Sequence, residues 1–436
     1  MNTHPNAVKE RLTSLIAGMS ASSGLFVKNP TKDFTRDRKL PFESVMHLLI
    51  AMGGNSIYKE LLEAQGYNAS TATTSAFVQQ REKILPVAFE FLLHEFTQTH
   101  SEPKKYKGYR LFAVDGSDLH IPTNPDDAET FIKTRPNTKA HNRLHINAMY
   151  DLCNRLYMDA IVQPIRQENE HKALVNMVKR SHIKGKSIII ADRNYESYND
   201  FAHIENKGWN YVIRVKDIGS NGICSGLHLP SCDEFDIRIE RILTRKQTNE
   251  IKANPDLYRC LAHNTTFDFL DLHKNRFYPM AFRIVRIKLS DNSYEVLITN
   301  LDHKDFPPEQ LKKLYAMRWG IETSFRELKY TIGLLHFHAK KREFIVQEIF
   351  ARIIMYNFTE MITSHVIISQ TDRKYAYKVN FTIAVIICRR FLRPNSKPPP
   401  DVEALIRKNI SPIRPGRNTS RNFRPKSAIS FTYRVA

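Results

Sequence analysis

Between Tyr106 and Val215 the hydrophobic period of this chain switches repeatedly, and that alternation restricts the fold more than any other feature of its 436 residues. The runs Arg110 to Asp115 (RLFAVD), Arg143 to Tyr150, Leu156 to Pro164, Ser187 to Asp192 (SIIIAD) and Asn210 to Val215 (NYVIRV) are short and apolar or alternating, which predicts strands. Asn169 to His182 and Glu196 to Lys207 carry helical periodicity instead. The resulting order is three strands, helix, strand, helix, strand. It predicts an α/β protein with a mixed sheet flanked by helices.

That order is the connectivity of the ribonuclease-H-like fold, in which the first and fourth strands are neighbours. Asp115 closes the first run and Asp192 the fourth, so such a sheet would bring together two carboxylates far apart in sequence. An aspartate ending an apolar strand is commonly a cap or turn former, and Asp115-Gly116 also reads as an ordinary turn pair. Asp118 competes for the first position, but Asp115 follows the apolar run directly.

Nearly 90 residues separate the fifth strand from the next helical pattern, too many for a simple connection. Phe235 to Leu243, Leu257 to His263, Tyr278 to Leu289 and Tyr294 to Asn300 read as strands, predicting a small β insertion whose Arg238, Arg241, Arg245, Lys246, Arg283, Arg286 and Lys288 suit a DNA backbone or a solvated sheet face. Pro307, Pro308 and Glu309 then open a helix. On it Tyr315, Arg318, Glu322 and Lys329 would fall at roughly 0°, 300°, 340° and 320° around the axis, a single stripe. Leu314, Met317, Ile321 and Leu328 cluster about a quarter-turn away, so the stripe would edge a core; a solvated charged face is the plainer reading. Gly320 counts against a regular helix there, at a cost of about 1 kcal/mol.

A formal net charge of +20 favours a polyanionic partner such as nucleic acid, with a membrane surface as the competing polyanion. MNTHPNAVKERL lacks a signal-peptide core and no apolar run is long enough to span a bilayer, so a cytoplasmic protein is expected. Five scattered cysteines form no C-x2-C pair, which indicates neither a disulfide framework nor a zinc site. Residues 1–105 carry helical patterns at Ser44 to Met52, Ser56 to Ala64 and Ser75 to Phe96. The last of these, with Gln79, Gln80, Arg81 and Lys83, is either a major-groove reader or the wet face of a structural bundle. A helix from Glu343 to Thr363 follows the stripe, and from residue 389 a basic, proline-broken tail carries 12 Lys or Arg against Asp401 and Glu403.

The spacing Y-x2-R-x3-E-x6-K of Tyr315, Arg318, Glu322 and Lys329 resembles the signature of the DDE transposases of the bacterial IS-four group of insertion sequences. VDGSDLHIP and ADRNYES resemble that group's D-G-[ST] and D-R-[GN]-Y segments, the strands between the second Asp and the Glu match its β insertion, and FTRDRKLP and PIRPGRNTSRNFRPK resemble its basic terminal segments. The resemblance implies catalytic, metal-binding Asp115, Asp192 and Glu322, with Tyr315, Arg318, Lys329 and Arg193 on DNA phosphates. Three carboxylates suit two Mg²⁺ ions about 3.5 to 4 Å apart, Mn²⁺ substituting, that stabilise the attacking and leaving oxygens of phosphodiester cleavage. It further implies cut-and-paste transposition by a homodimer on terminal inverted repeats and target DNA, in a nucleoid-associated bacterial protein. The alternatives are a ribonuclease-H-like nuclease that never joins DNA and an inert DNA-binding repressor. The expected division is a helical DNA-binding unit over 1–105, a catalytic domain over 106–232 completed by 304–370, the β insertion over 233–303 and the basic region 371–436.

Overall fold

The computed structural model describes residues 2–36, 38–100, 102–133, 140–271, 276–291, 293–370, 375–393 and 399–413. Most of the basic tail, from Arg414 onward, lies outside the described residues. Eight main strands form: β1 Arg110–Ile121, β2 His141–Asp151, β3 Leu156–Pro164, β4 Ser187–Ala191, β5 Asn210–Val215, β6 Phe235–Thr244, β7 Phe277–Ser290 and β8 Ser293–Thr299. They lie in one sheet in the order β3, β2, β1, β4, β5, β8, β7, β6, with the short strands Phe131–Ile132 beside β2 and Tyr258–Cys260 beside β6. Within it β1, β4 and β5 are parallel, and β2 runs antiparallel to both β1 and β3. The strands expected as a separate β insertion therefore extend the central sheet, because β8 pairs antiparallel with β5 and β7 continues from β8 through a tight hairpin.

The apolar runs are explained by burial on both faces of the inner strands. Leu111, Ile188, Ile190, Val212 and Leu297 turn to one side, where helix α8 (Pro308–Ala316) supplies Leu311 and Leu314. Phe112, Val114, Ile189, Ala191, Tyr211 and Ile213 turn to the other, against α6 (Glu170–Arg180), α7 (Tyr198–Asn206) and a larger apolar cluster. That cluster continues without a break into the N-terminal helices α1 Thr3–Ala21, α2 Phe42–Ala51, α3 Ile57–Ala64, α4 Thr74–Lys83 and α5 Val87–Gln98. The joint is α10 (Arg342–Thr363), a 22-residue helix buried almost all round. Its polar residues find partners inside: Asn357 exchanges two hydrogen bonds with the Tyr157 backbone, and Glu348 accepts from Arg81 at 2.9 Å.

Three expectations are corrected and one helix is added. β1 does not end at Asp115 but runs on to Ile121, because β2 keeps pairing with it after β4 has stopped at Ala191. The single helix expected over Ser75 to Phe96 is two, divided at Ile84 to Pro86, since proline cannot donate to the preceding turn. Arg81, read as part of an exposed polar face, is 1% exposed and bound to Glu348, Gln347 and the Phe344 carbonyl oxygen, so it cannot read a groove. Lastly, α1 was not anticipated, although its buried Val8, Leu12, Ile16 and Met19 are spaced for one helical face.

Candidate active site

The register of the parallel pair sets the site. Val114 on β1 stands opposite Ala191 on β4, so Asp115 and Asp192 are the next residues of two neighbouring strands, at the edge where β4 ends. The Asp115 carboxylate accepts from the Gly116 amide at 2.9 Å, and Asp192 caps the turn Arg193–Tyr195 by accepting from the Asn194 amide at 2.9 Å. Glu322 arrives from α9 (Trp319–Arg326). Arg318, just ahead of that helix, bridges the acids, at 2.8 Å from Glu322 and 3.8 Å from Asp115. Burial first, and then the charges of Asp192 and Glu322, raise the Asp115 carboxyl to about 7 against the opposing pull of the Gly116 amide and Arg318.

The segment carrying the signature is not one regular α-helix. α8 ends at Ala316, α9 begins at Trp319, and Glu327–Thr331 is a π-helical turn, so the four-residue stripe expected from ideal spacing is assembled from three pieces. The widened turn shifts the phase of the residues after it. Its Glu327 is held by Tyr356 at 3.0 Å and Arg155 at 3.3 Å, and Lys329 donates to the Ser117 hydroxyl at 2.7 Å and the Asp118 carbonyl at 2.9 Å. Tyr315 is buried, its ring centroid 5.7 Å from the Arg318 guanidinium. Arg193 is exposed and stands apart from this group, over a pocket on the far side of Asp192. Gly320 is explained by close packing: a Cβ there would sit 2.8 Å from Leu152 Cδ2.

A second charged group lies three residues along β1. Asp118 is bound by Arg143 at 2.8 Å and by His145 Nδ1 at 2.9 Å, while His145 Nε2 lies 3.1 Å from Glu170. The His145–Glu170 contact crosses directly over Gly116, where any Cβ would collide with both side chains. Any larger residue after Asp115 would have to displace the ends of both side chains. Sequence reading missed His145 and Glu170, because only the β1–β2 register, which sets Asp118 opposite His145, reveals them.

The two groups differ as cation sites. Asp118, His145 and Glu168 offer ligand atoms all within 4.8 Å of one another, as do Glu90, His94 and Asp159, but both sets already hold protein cations, Arg143 and Arg180. Asp115, Asp192 and Glu322 are not drawn to one point in that way. They offer only oxygen donors, Asp115 and Glu322 share one counter-charge in Arg318, and the Asp115 carboxyl is raised by burial first and then by its acidic neighbours. That donor set fits hard divalent cations spread over two positions.

A family model for the transposase DDE domain matches residues 106–358, well over half of the chain. The chain belongs to the DDE transposase family. The match begins just before β1 and ends within α10, so the whole of the strand and helix alternation lies inside the family domain. Among curated relatives of this transposase domain, the protein named "Putative transposase InsZ" of Escherichia coli (strain K12) is 24% identical over 188 residues, which are 40% of this chain and 61% of that one. The chain thus spans less than two thirds of that relative's length. Among solved structures, a piggyBac transposase synaptic complex with hairpin DNA aligns over 93% of this chain and 81% of that chain, at 10% identity and a TM-score of 0.45. A score this low leaves the fold to rest on the strand order itself.

Proposed function

We propose that this chain is a cut-and-paste DNA transposase of the IS-four group whose catalytic core is ribonuclease-H-like, with Asp115, Asp192 and Glu322 as its metal ligands. The observation that carries the reading is the gathering of Asp192 and Glu322, from separate elements, around an Asp115 carboxyl raised to about 7, inside a DDE transposase domain. The strand order β3, β2, β1, β4, β5 supports the ribonuclease-H-like core. When bound, two Mg²⁺ or Mn²⁺ ions would stabilise charge on the attacking and leaving phosphodiester oxygens.

The chain's own groups do the rest. Arg318 gives up contacts with Asp115 and Glu322 to take a phosphate oxygen beside the scissile bond, where its planar fork can donate twice. Lys329, anchored on Ser117 and the Asp118 carbonyl, presents a point charge to the neighbouring phosphate, and the Tyr315 hydroxyl donates from within the fold. Arg193 extends the phosphate track beyond Asp192. The DNA partners are terminal inverted repeats and a target duplex, engaged by a homodimer in a bacterial nucleoid. No helix among the described residues is long and apolar enough to cross a membrane. We assign DNA-end binding to the helical unit 1–105, catalysis to 106–232 with 304–370, backbone contacts to 233–303 and non-specific affinity to 371–436. Since Arg81 is structural, groove reading falls to other residues of the helical unit.

The test is an assay for nicking and joining on DNA carrying the ends of the element, with Mg²⁺. Asp192→Asn is expected to abolish both products while leaving DNA binding in place; cleavage retained by that variant refutes its role as ligand. Wild-type cleavage that never yields joined products would mark a nuclease instead.

A further inference from the structure

A polar cavity of about 900 Å³ opens beside Asp192, at the carboxyl ends of the parallel strands β4 and β5, where α/β sheets commonly receive ligands. Arg193, Lys216 and Arg259 line it, together with Tyr198 and Glu196. Glu196 is already committed: its two oxygens accept from the Lys216 and Ile223 backbone amides at 2.9 and 2.5 Å. The cations are less engaged. Lys216 reaches only the Asn221 carbonyl at 3.0 Å and Arg259 only the Ser225 carbonyl at 3.4 Å, and among the described residues no carboxylate lies within ion-pair distance of Arg193, Lys216 or Arg259.

Two buried groups point the same way. The Tyr198 hydroxyl is sealed from solvent without a hydrogen-bond partner, in a residue 8% exposed. Behind it Arg241 is 4% exposed, its Nε also has no partner, and no acid among the described residues pairs with it; Asp256, which acts on it at longer range, is bound to His228. The other buried arginines are answered from within the fold: Arg81 has Glu348, Arg283 has Asp236, Arg318 has Glu322 and Arg352 has backbone carbonyls. A buried guanidinium without a counter-charge weakens folding, so Arg241 leaves an unmet charge that an anion supplied from outside would satisfy. Tyr198 is pushed up to about 12, mainly by burial, and so stays a donor at neutral pH.

We propose that this cavity is a second phosphate-binding site, in which Arg193, Lys216, Arg259 and the Tyr198 hydroxyl, backed by Arg241, hold backbone phosphates of the DNA strand running past Asp192 toward β6. It rests on the transposase reading and adds to the Tyr315, Arg318 and Lys329 group a clamp on the opposite side of the acids. A strand held on both sides of Asp192 would be fixed across the reacting position rather than pivoting about a single contact.

The full-length chain is titrated against a fluorescein-labelled DNA duplex by anisotropy, without divalent metal, over about 50 to 300 mM KCl. Lys216→Ala and Arg259→Ala are each expected to lower the slope of log Kd against log[KCl] by about 1 and to weaken binding several-fold. Lys184→Ala, an exposed cation before the opposite end of β4, keeps the wild-type slope. Arg241→Met should melt at or above the wild-type temperature and still bind the duplex more weakly, a combination that a purely structural arginine would not give. Wild-type slopes and affinities in Lys216→Ala and Arg259→Ala overturn the proposal; should Arg259→Ala not fold, the exposed Lys216 decides it alone. Arg241→Met that melts far below wild type yet binds normally overturns the part assigned to Arg241. A wild-type chain that binds no DNA at any salt overturns the transposase reading itself.

Discussion

Asp115 and Asp118 stand three residues apart on one strand and live in opposite electrostatic worlds. Asp118 has Arg143 and His145 against it, and those contacts hold it below the usual carboxylate range despite its partial burial. Asp115 is more deeply buried, with acids for neighbours and one shared arginine, and burial first and then those acids raise it to about 7. The difference separates an acid that the chain pairs with cations of its own from one that it sets among other acids, which we propose as a metal ligand. Where the chain gives a carboxylate its own cations, the group stitches strands together; where several acids share one arginine, the set has charge to spare for a bound cation.

The sharpest way to break the comparison is at the residue that separates the two groups. Gly116→Ala drives a methyl into the His145–Glu170 contact, and is expected to cost about 3 kcal/mol in urea unfolding. A variant as stable as wild type would mean that the two groups are not held apart by that crossing.

A smaller effect sharpens the stitching side. Burial alone would lower the His145 imidazolium, but Asp118 and Glu170 more than compensate and raise it to about 9. Because the folded value lies above the ordinary value of about 6.5, this contribution is fully present below pH 6.5 and is lost as pH rises through about 9. His145→Gln should therefore be less stable than wild type by about 1–2 kcal/mol at pH 6, with the gap closing by pH 10. A gap independent of pH would show that His145 acts by packing rather than by charge.

Much of the fold, and the meeting of Asp115 with Asp192 at the ends of neighbouring strands, is legible in the sequence, for identifiable reasons. β3 and β5 occupy the bounds read from their apolar runs, because most of β5 and the first half of β3 are buried and few polar residues interrupt the runs. The Asp115-Gly116 pair misleads as a turn, since the glycine serves a close approach across the sheet rather than a change of direction. Arg81 misleads because a long-range partner on α10, invisible to helical periodicity, buries it. The spacing of Tyr315, Arg318, Glu322 and Lys329 is open to view in the sequence. Their segmentation is not: the π turn depends on Glu327 meeting Arg155 and Tyr356 from distant parts of the chain.

The central claim is that Asp115, Asp192 and Glu322, and not the acids paired with their own cations, take divalent cations. Calorimetric titration of Mn²⁺ into the full chain, comparing wild type with Asp192→Asn, tests it most directly. The account predicts saturable uptake by wild type and its loss or marked weakening in the variant, with the fold intact by circular dichroism. Equal uptake by both proteins would place the ions elsewhere and contradict it.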